Sequence, residues 1–406
     1  MTFALITLAL KSLAARKAPV LLSLLAIALS VGLLVSTEKV RGGVRAGFEN
    51  TITGTDLVVS ARTGPLNVVL YTVFRLGDPL QTVSWDTFQL VANHRDVAWA
   101  VPISLGDSHQ GYRVLGTDDG YVEHYRYGED QNLSFSEGDW VQDPKGAVLG
   151  AEVARALGYQ IGDSIILSHG IVSASFADHA EDPFTIVGIF APTGTPVDRT
   201  VHVSLEGIEA IHRPPGASDN LEPQMVTAFL VGMKSRPTVL RFQRVLNTYQ
   251  DEPLTAVIPG VALSRLWSII SPIEGLLRGI TIVVFLVGMI GLSTTLLASL
   301  AGRQREMAVL RSVGAKPRAL LAILIIETTI TSVGGVVLGL VLAYGGLFAL
   351  GPWLRSTFGL VLQNTSPGGF DAAVFLSVLT VGLVAGLVPG IAAYRQGLNE
   401  SLSSGA

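Results

Sequence analysis

Hydrophobic positions along the chain fall into two textures. Four stretches are continuously apolar and long enough to span a bilayer, which takes about 20 residues: 18–37, 279–301, 319–351 and 370–394. The third is longer than a span needs and must tilt or emerge at one end. Between the first and second the pattern changes to short alternating runs broken by Gly, Asp and Pro, as in a soluble α+β domain over 38–265. "TDLVVSA" and "VAWAVPISLG" predict strands, and "SWDTFQLVANHR" between them predicts a helix with Ser84 as N-cap. "VTAFLVGMK", "SRPTVLRFQRVLN" and "LTAVIP" repeat the strand–helix–strand order near the other end, with Ser235 as the second cap. These two ends are expected to pack together as one lobe.

A second, β-rich lobe is expected as an insertion over about 106–222. Its strands are "YRVLGTD", "DSIILSH", "FTIVGIF" and "TVHVSL", with helices at "GAEVARALG" and "LEGIEAIHR". After Pro259 a helical pattern runs into the second apolar stretch. It predicts a stalk helix continuous with that span over 266–301, which Pro272 can kink.

Composition turns the apolar stretches into membrane spans. Only 15% of the 406 residues are charged, mean hydropathy is +0.48, and a soluble domain carries about a quarter charged residues. The first span is read as a retained anchor, because its apolar core is too long for a signal peptide and no A-x-A-like site follows. Net charge is −4, so no basic field for nucleic acid exists, and with no Cys there are no disulfides or thiolate sites.

Lys and Arg in short flanks set orientation. Lys11, Arg16 and Lys17 precede span one in an amphipathic helix over 1–17; five basic residues lie in 302–318; Arg395 follows span four; the loop 352–369 has only Arg355. Both termini (the tail being 395–406) and the 302–318 loop are therefore expected in the cytoplasm, with 38–278 and 352–369 outside. Lys39, Arg41 and Arg45 stand on the wrong side of span one, offset by the stronger flank before it.

The basic loop "GRQREMAVLRSVGAKPRAL" also carries Met307, Leu310 and Val313 at helical spacing. Gly314 can end this short helix, and Lys316-Pro317 turns into span three. A solvated loop has no use for such a stripe; it should dock on membrane or on a cytoplasmic subunit. The sequence contains no G-x-x-x-x-G-K-S/T P-loop, no G-x-S-x-G elbow and no H-E-x-x-H, so nothing marks it as an ATPase or a hydrolase.

This loop resembles that of the FtsX/MacB-type (LolC/LolE-like) ABC permeases, roughly R-x-R-E-x-A/G-L/V-L-R-A/S-L/I/V-G-A. Arg303, Arg305, Glu306, Leu310, Arg311, Gly314 and Ala315 match in register. The basic-then-apolar start at 8–35 is similar to that family's. So are "VLGAEVARALGYQIGDSIIL" and "FTIVGIFAPTGTPVDRTVHVSLEGIEAI", which resemble its external core domain. Pro389 and "AAYRQGLNESL" resemble its exit, although the family ending reads closer to P-A-x-x-A-x-x-x-x-P-x-x-A-L.

The resemblance implies a four-span membrane protein with a MacB-like periplasmic core domain between spans one and two, in a bacterial inner membrane. It also implies that 302–318 is a coupling helix seated on a separate ATPase. The ATPase would bind ATP and Mg while this chain binds no cofactor, and the assembly would pair two permease copies with two ATPases.

Further residues draw attention. Glu327 lies roughly 12 Å into span three, where a carboxyl must face protein or water. It is read either as a structural partner of Thr329, Thr331 or a neighbouring span, or as a hinge or dimer contact that changes with nucleotide state. Gly335 with Gly339, and Gly382, Gly386 and Gly390, form small-residue ridges for close helix contact. "PLNVVLYTVFRLGDP" fits a packed core element or a protruding hook for a lipid chain, lipoprotein or adaptor, presenting Leu66, Val69, Leu70, Tyr71 and Phe74. All seven His lie in the external domain, without i,i+4 pairs. The densest acidic grouping, around His179, reads as a solvated loop, and no metal ligands are assigned.

Three functions follow. One is a permease subunit that transmits ATPase motion to extract or export a lipoprotein, lipid or peptide. The second is a signalling scaffold that activates an external partner without transport, and the third is an accessory to zinc uptake.

Overall fold

The computed structural model describes residues 2–49, 51–169, 182–212, 221–301, 317–358 and 366–403. The chain divides into two compact units, one of Met1–Gly43, Pro272–Pro352 and Leu362–Ala406, the other of Val44–Ser271 with Trp353–Val361.

The second unit is built on one eleven-stranded sheet. Its strands in chain order are β1 (Leu57–Ala61), β2 (Val97–His109), β3 (Tyr112–Thr117), β4 (Phe135–Gly138) and β5 (Gly146–Leu149). They continue with β6 (Ser164–Ile165), β7 (Ser168–His169), β8 (Phe184–Phe190), β9 (Thr200–Ser204), β10 (Ala228–Met233) and β11 (Leu254–Val257). The spatial order is β11-β1-β10-β2-β3-β9-β5-β8-β4, with β7 beside β2 and β6 beside β8. Pairing is antiparallel except for β9 with β3 and β8 with β5.

The helices are α1 (Thr2–Ala15), α2 (Lys17–Glu49), α3 (Pro65–Thr72), α4 (Trp85–Ala92), α5 (Gly120–His124), α6 (Ala151–Leu157), α7 (Leu205–His212) and α8 (Val239–Asn247). Three long ones follow: α9 (Pro259–Ala301), α10 (Pro317–Phe358) and α11 (Gly369–Ser403).

The two expected lobes are one domain, and period-two alternation explains why. Val58, Val101, Leu115, Val148, Phe190 and Leu230 point to one face of the sheet and form a single core along it. Their sequence neighbours point to the other face and split into two cores. Leu57, Val59, Phe229 and Val231 pack with α4 and α8; Val114, Ala147, Leu149, Val201 and Val203 pack with α6 and α7. The boundary expected near 106 falls inside β2. Residues 97–103 of this strand pair with β10, residues 104–109 pair with β3, and a bulge lies between Leu105 and Ser108. Each fully buried Val, Leu or Phe contributes roughly 1.5–3 kcal/mol, so the shared core binds the halves strongly.

Local chemistry fixes the ends of these elements. Ser84 caps α4, its Oγ accepting from the Thr87 N–H at 3.3 Å, and its own N–H and hydroxyl donate to the Glu252 carboxylate at 2.9 and 2.7 Å. The helix expected from Ser235 begins instead as a 3-10 turn over Arg236–Thr238, with no side-chain bond from Ser235. Pro237 lacks the N–H that an earlier α-turn would use. In "TGTPVD", the Asp198 carboxylate accepts from the Thr193 N–H and hydroxyl and from the Gly194 N–H, each at 2.8 Å. Gly150 lies against Val197 and Asp198 so closely that a Cβ would collide with backbone. This seats the loop on the start of α6.

His202 on β9 is fully buried between the rings of Tyr121 and Phe190, 5.7 and 5.1 Å away. Burial, with the Arg75 charge adding to it, lowers its pKa to about 3. The unfolded chain binds this proton below about pH 6.5, whereas the folded chain binds it only near 3. Stability from this group is therefore full above about pH 6.5 and declines on acidification, by about 1.4 kcal/mol per pH unit at most. His202→Leu should flatten the fall in thermal stability between pH 6.5 and 4.5, measured on the detergent-purified chain. An unchanged slope would refute the assignment.

Candidate functional site in the helix bundle

The first unit is helical. Within α2, α9 and α10, the segments Lys17–Phe48, Pro259–Gly291 and Leu321–Leu354 are long and apolar enough to cross a membrane, and the described apolar part of α11 is Gly369–Ala385. Their common core consists of Ile27, Val31 and Val35 of α2, Phe285 and Met289 of α9, Val336 and Ala343 of α10, and Val374 and Val378 of α11.

Lipid tails are as apolar as Leu, so burial from water does not hold such helices together; close van der Waals contact does. The glycines show where that contact is tightest. A Cβ on Gly335 would stand 2.7 Å from the Ile27 Cβ, and one on Gly339 would stand 2.9 Å from the Ala28 carbonyl oxygen and the Val31 Cβ. Gly32 faces back: a Cβ on it would stand 3.3 Å from the Gly339 carbonyl oxygen. The expected ridge Gly335/Gly339 thus seats α10 on α2. Gly382 abuts Ser332, seating α11 on α10, and Gly288 abuts Ser30, seating α9 on α2. Gly386 and Gly390 stand further along α11, and their surroundings lie outside what the structure describes.

Glu327 is 4% exposed, on a stretch of α10 where Thr328, Thr331 and Ser332 are also buried. The hydroxyls expected to serve its carboxyl bond to backbone instead. Thr331 donates to the Glu327 carbonyl at 2.9 Å, and Thr329 donates to the Ile325 carbonyl at 2.7 Å.

Lys39, Arg41 and Arg45, which the flank count leaves unexplained, each have a partner in place. Lys39 lies 3.2 Å from Asp371, donates to the Ser366 carbonyl at 2.7 Å and stands over the Tyr344 ring at 5.7 Å. The same Asp371 oxygen accepts from the Gly368 N–H at 2.6 Å and so caps α11. Arg41 pairs with Glu38 at 2.6 Å and with Glu274 at 3.5 Å, and Arg278 lies 3.8 Å from Glu38. Arg45 stands over the Trp267 ring at 6.0 Å. Acidic partners supplied by α9 and α11 are invisible to a count of Lys and Arg.

An α+β domain follows the first apolar helix, and a glycine-seamed bundle takes up the rest. The model of the MacB-like periplasmic core domain matches residues 20–235, and that of the FtsX-like permease C-terminal region matches 278–402. The chain belongs to the FtsX/MacB-type ABC permease family. No curated protein matches it.

Among solved structures, the permease is similar to the periplasmic region of MacB from Actinobacillus actinomycetemcomitans, at 8% identity and TM-score 0.35, covering 53% of this chain and 94% of that one. It is also similar to the extracellular domain of the noncanonic ABC-type transporter YknZ from Gram-positive bacteria, at 12% identity and TM-score 0.31, covering 50% and 98%.

The remaining expected site residues divide cleanly. The docking set Arg303, Arg305, Glu306, Met307, Leu310, Arg311, Gly314 and Ala315 lies outside the described residues. The hook reading of 65–79 is corrected. Val69, Tyr71 and Phe74 are buried on and just after α3, with Phe48 against Phe74 at 4.6 Å, and Leu66 and Leu70 are half-buried. The alternation is poor because α3 is a helix covering the sheet, and its apolar side belongs to the core.

The exposed apolar residues there are Leu76 and Leu80, in the loop after it. That loop is tied down by Arg113, which donates to the Gly77 carbonyl and Asp78 at 2.7 and 2.6 Å. Leu70, Tyr71, Leu76 and Leu80 line a groove of about 350 Å³. Sequence reasoning also missed a meeting of Asp107, His169 and His212, whose ligand atoms lie within 4.8 Å of one another. These residues come from separate elements, so no local spacing signals them.

Gly335→Leu should cost about 1–3 kcal/mol by overpacking and lower the melting temperature of the permease in detergent. Gly345→Leu on the same helix, where a side chain meets open space, should leave it unchanged. Equal effects at both positions would remove the ridge from this account.

Proposed function

We propose that this chain is the non-catalytic permease subunit of an ATP-driven complex of the mechanotransmission type. A separate cytoplasmic ATPase, binding ATP and Mg, docks on 302–318, and its closure passes through the spans to the external domain. The work extracts or exports an amphiphile such as a lipoprotein, lipid or peptide. The assembly contains four spans per chain, a second permease copy, both termini in the cytoplasm and a bacterial inner membrane.

The observation that carries this reading is the order of the two matched regions, MacB-like core first and FtsX-like permease region second. They occur on a chain whose sequence contains no P-loop but does contain a basic, apolar-striped loop between spans. In this reading energy enters through a partner, and the loop offers that partner a docking segment.

Leu310→Asp and Glu306→Arg should each abolish co-purification with the ATPase while the permease still elutes as a folded species. Retention of the ATPase at wild-type stoichiometry would show that docking lies elsewhere. A signalling scaffold predicts the same loss, and trapping the complex with ATP separates the two. Transport predicts a bound lipid or lipoprotein, whereas signalling predicts a bound protein partner and no amphiphile.

A further inference from the structure

We propose that Asp107, His169 and His212 form a binding site for a divalent transition metal, zinc foremost. Three elements build it. Asp107 lies on β2; His169 lies on β7, directly opposite Asp107 in the antiparallel register; His212 is the last residue of α7. Directly opposed residues of a ladder project from the same face of the sheet, so the register alone brings Asp107 and His169 together. Ile211, buried beneath α7, fixes the end of that helix beside them.

The distances fit one shared ion. His169 Nδ1 is 2.9 Å from Asp107 Oδ1, His212 Nε2 is 3.6 Å from the same oxygen, and the two ring nitrogens are 3.4 Å apart. Tetrahedral zinc with nitrogen and oxygen ligands at about 2.0–2.1 Å holds neighbouring ligand atoms roughly 3.3–3.4 Å apart. The three edges scatter around that value.

The second ring nitrogen of His212 supports the same reading. Its Nδ1 is 2.8 Å from the Ile208 carbonyl oxygen. A carbonyl only accepts, so Nδ1 carries the hydrogen and Nε2 presents its lone pair toward Asp107. A backbone carbonyl that orients a ligating imidazole is the usual outer partner of a metal-bound His.

A plain His–carboxylate hydrogen bond accounts for less. Asp107 is only 3% exposed at its side chain, and among the described residues no donor meets hydrogen-bond geometry at its Oδ1, even though two ring nitrogens are close. A buried carboxylate oxygen without such a donor is costly, and a cation between the three ligand atoms removes that cost. The two imidazoles are partly exposed, at 42% and 36%, so an ion can enter from solvent and a fourth position is left on the outer side. Two imidazoles with one carboxylate favour zinc over magnesium or calcium, which take oxygen ligands. This inference is independent of the transport reading.

The test uses the full-length chain in detergent, without a polyhistidine tag and stripped with chelator. Zinc is titrated against a chromogenic competitor, and cobalt(II) is followed by its visible d–d absorption. The wild type should take up one more equivalent of zinc than His169→Ala/His212→Ala, give an intense tetrahedral cobalt band, and melt at a higher temperature with zinc than without. Asp107→Asn should weaken zinc at least about 10-fold, and magnesium should not compete.

His212→Ala alone, at the exposed end of a helix, serves if the Asp107 variant fails to fold. Melting in chelator at the wild-type temperature establishes that the variant is folded. Equal zinc stoichiometry and affinity in the wild type and the double His variant, or no cobalt band in the wild type, would overturn the proposal.

Discussion

Close approach between two helix backbones is the constraint on which the membrane half of this protein depends. Gly335 and Gly339 present no side chain where Ile27, Ala28 and Val31 come within 3 Å of a would-be Cβ. No hydrophobic force selects one face of an apolar helix over another when the surroundings are equally apolar. The glycine ridge supplies that selection through shape. Once α10 is seated on α2, Ser332 meets Gly382 of α11 and Ser30 meets Gly288 of α9. The four helices then share one core around Ile27, Val31 and Val378.

The α+β domain solves a different problem with a different rule. In water, burial drives assembly, and the sheet must cover both faces. One long strand, β2, pairs with β10 over its first half and with β3 over its second. Alternation along the strands then builds a single core on one face and two on the other. The division into two lobes is real on one face only. A sequence reading sees composition change near 106 and infers a boundary, because composition reports what covers each half and not the strand that joins them.

How much was legible follows from how local each signal is. Ser84 as a cap, the alternation of "FTIVGIF" and the ridge at Gly335/Gly339 are local patterns, and the structure shows each where the pattern placed it. The apolar run at 65–79 was legible as an element but not as helix or hook, since short apolar runs fit both. Phe48 against Phe74 and the shared core with Val101, Leu115 and Leu230 settle the matter, and those sheet residues come from far along the chain. Lys39 and Arg41 read as topological exceptions because Asp371 and Glu274 are hundreds of positions away. Asp107, His169 and His212 left no trace for the same reason: a strand register and a helix end bring them together, and neither is written in any one segment.

The polar residues of the apolar helices divide by what they can satisfy locally. Thr281, Thr328, Thr329, Thr331, Ser377 and Thr380 all donate to carbonyls three or four residues back. These hydroxyls ask nothing of a neighbouring helix, so they do not specify which helix is adjacent. Charged groups reach further. Arg41 has Glu38 of its own helix at 2.6 Å and adds Glu274 of α9 at 3.5 Å, whereas Lys39 pairs with Asp371 of α11. Breaking the sheltered Lys39–Asp371 pair leaves an uncompensated charge, which costs more than the intact pair gains. The glycine ridge thus sets how closely α10 approaches α2, and the ion pairs add directed contacts from α2 to α11 and to α9.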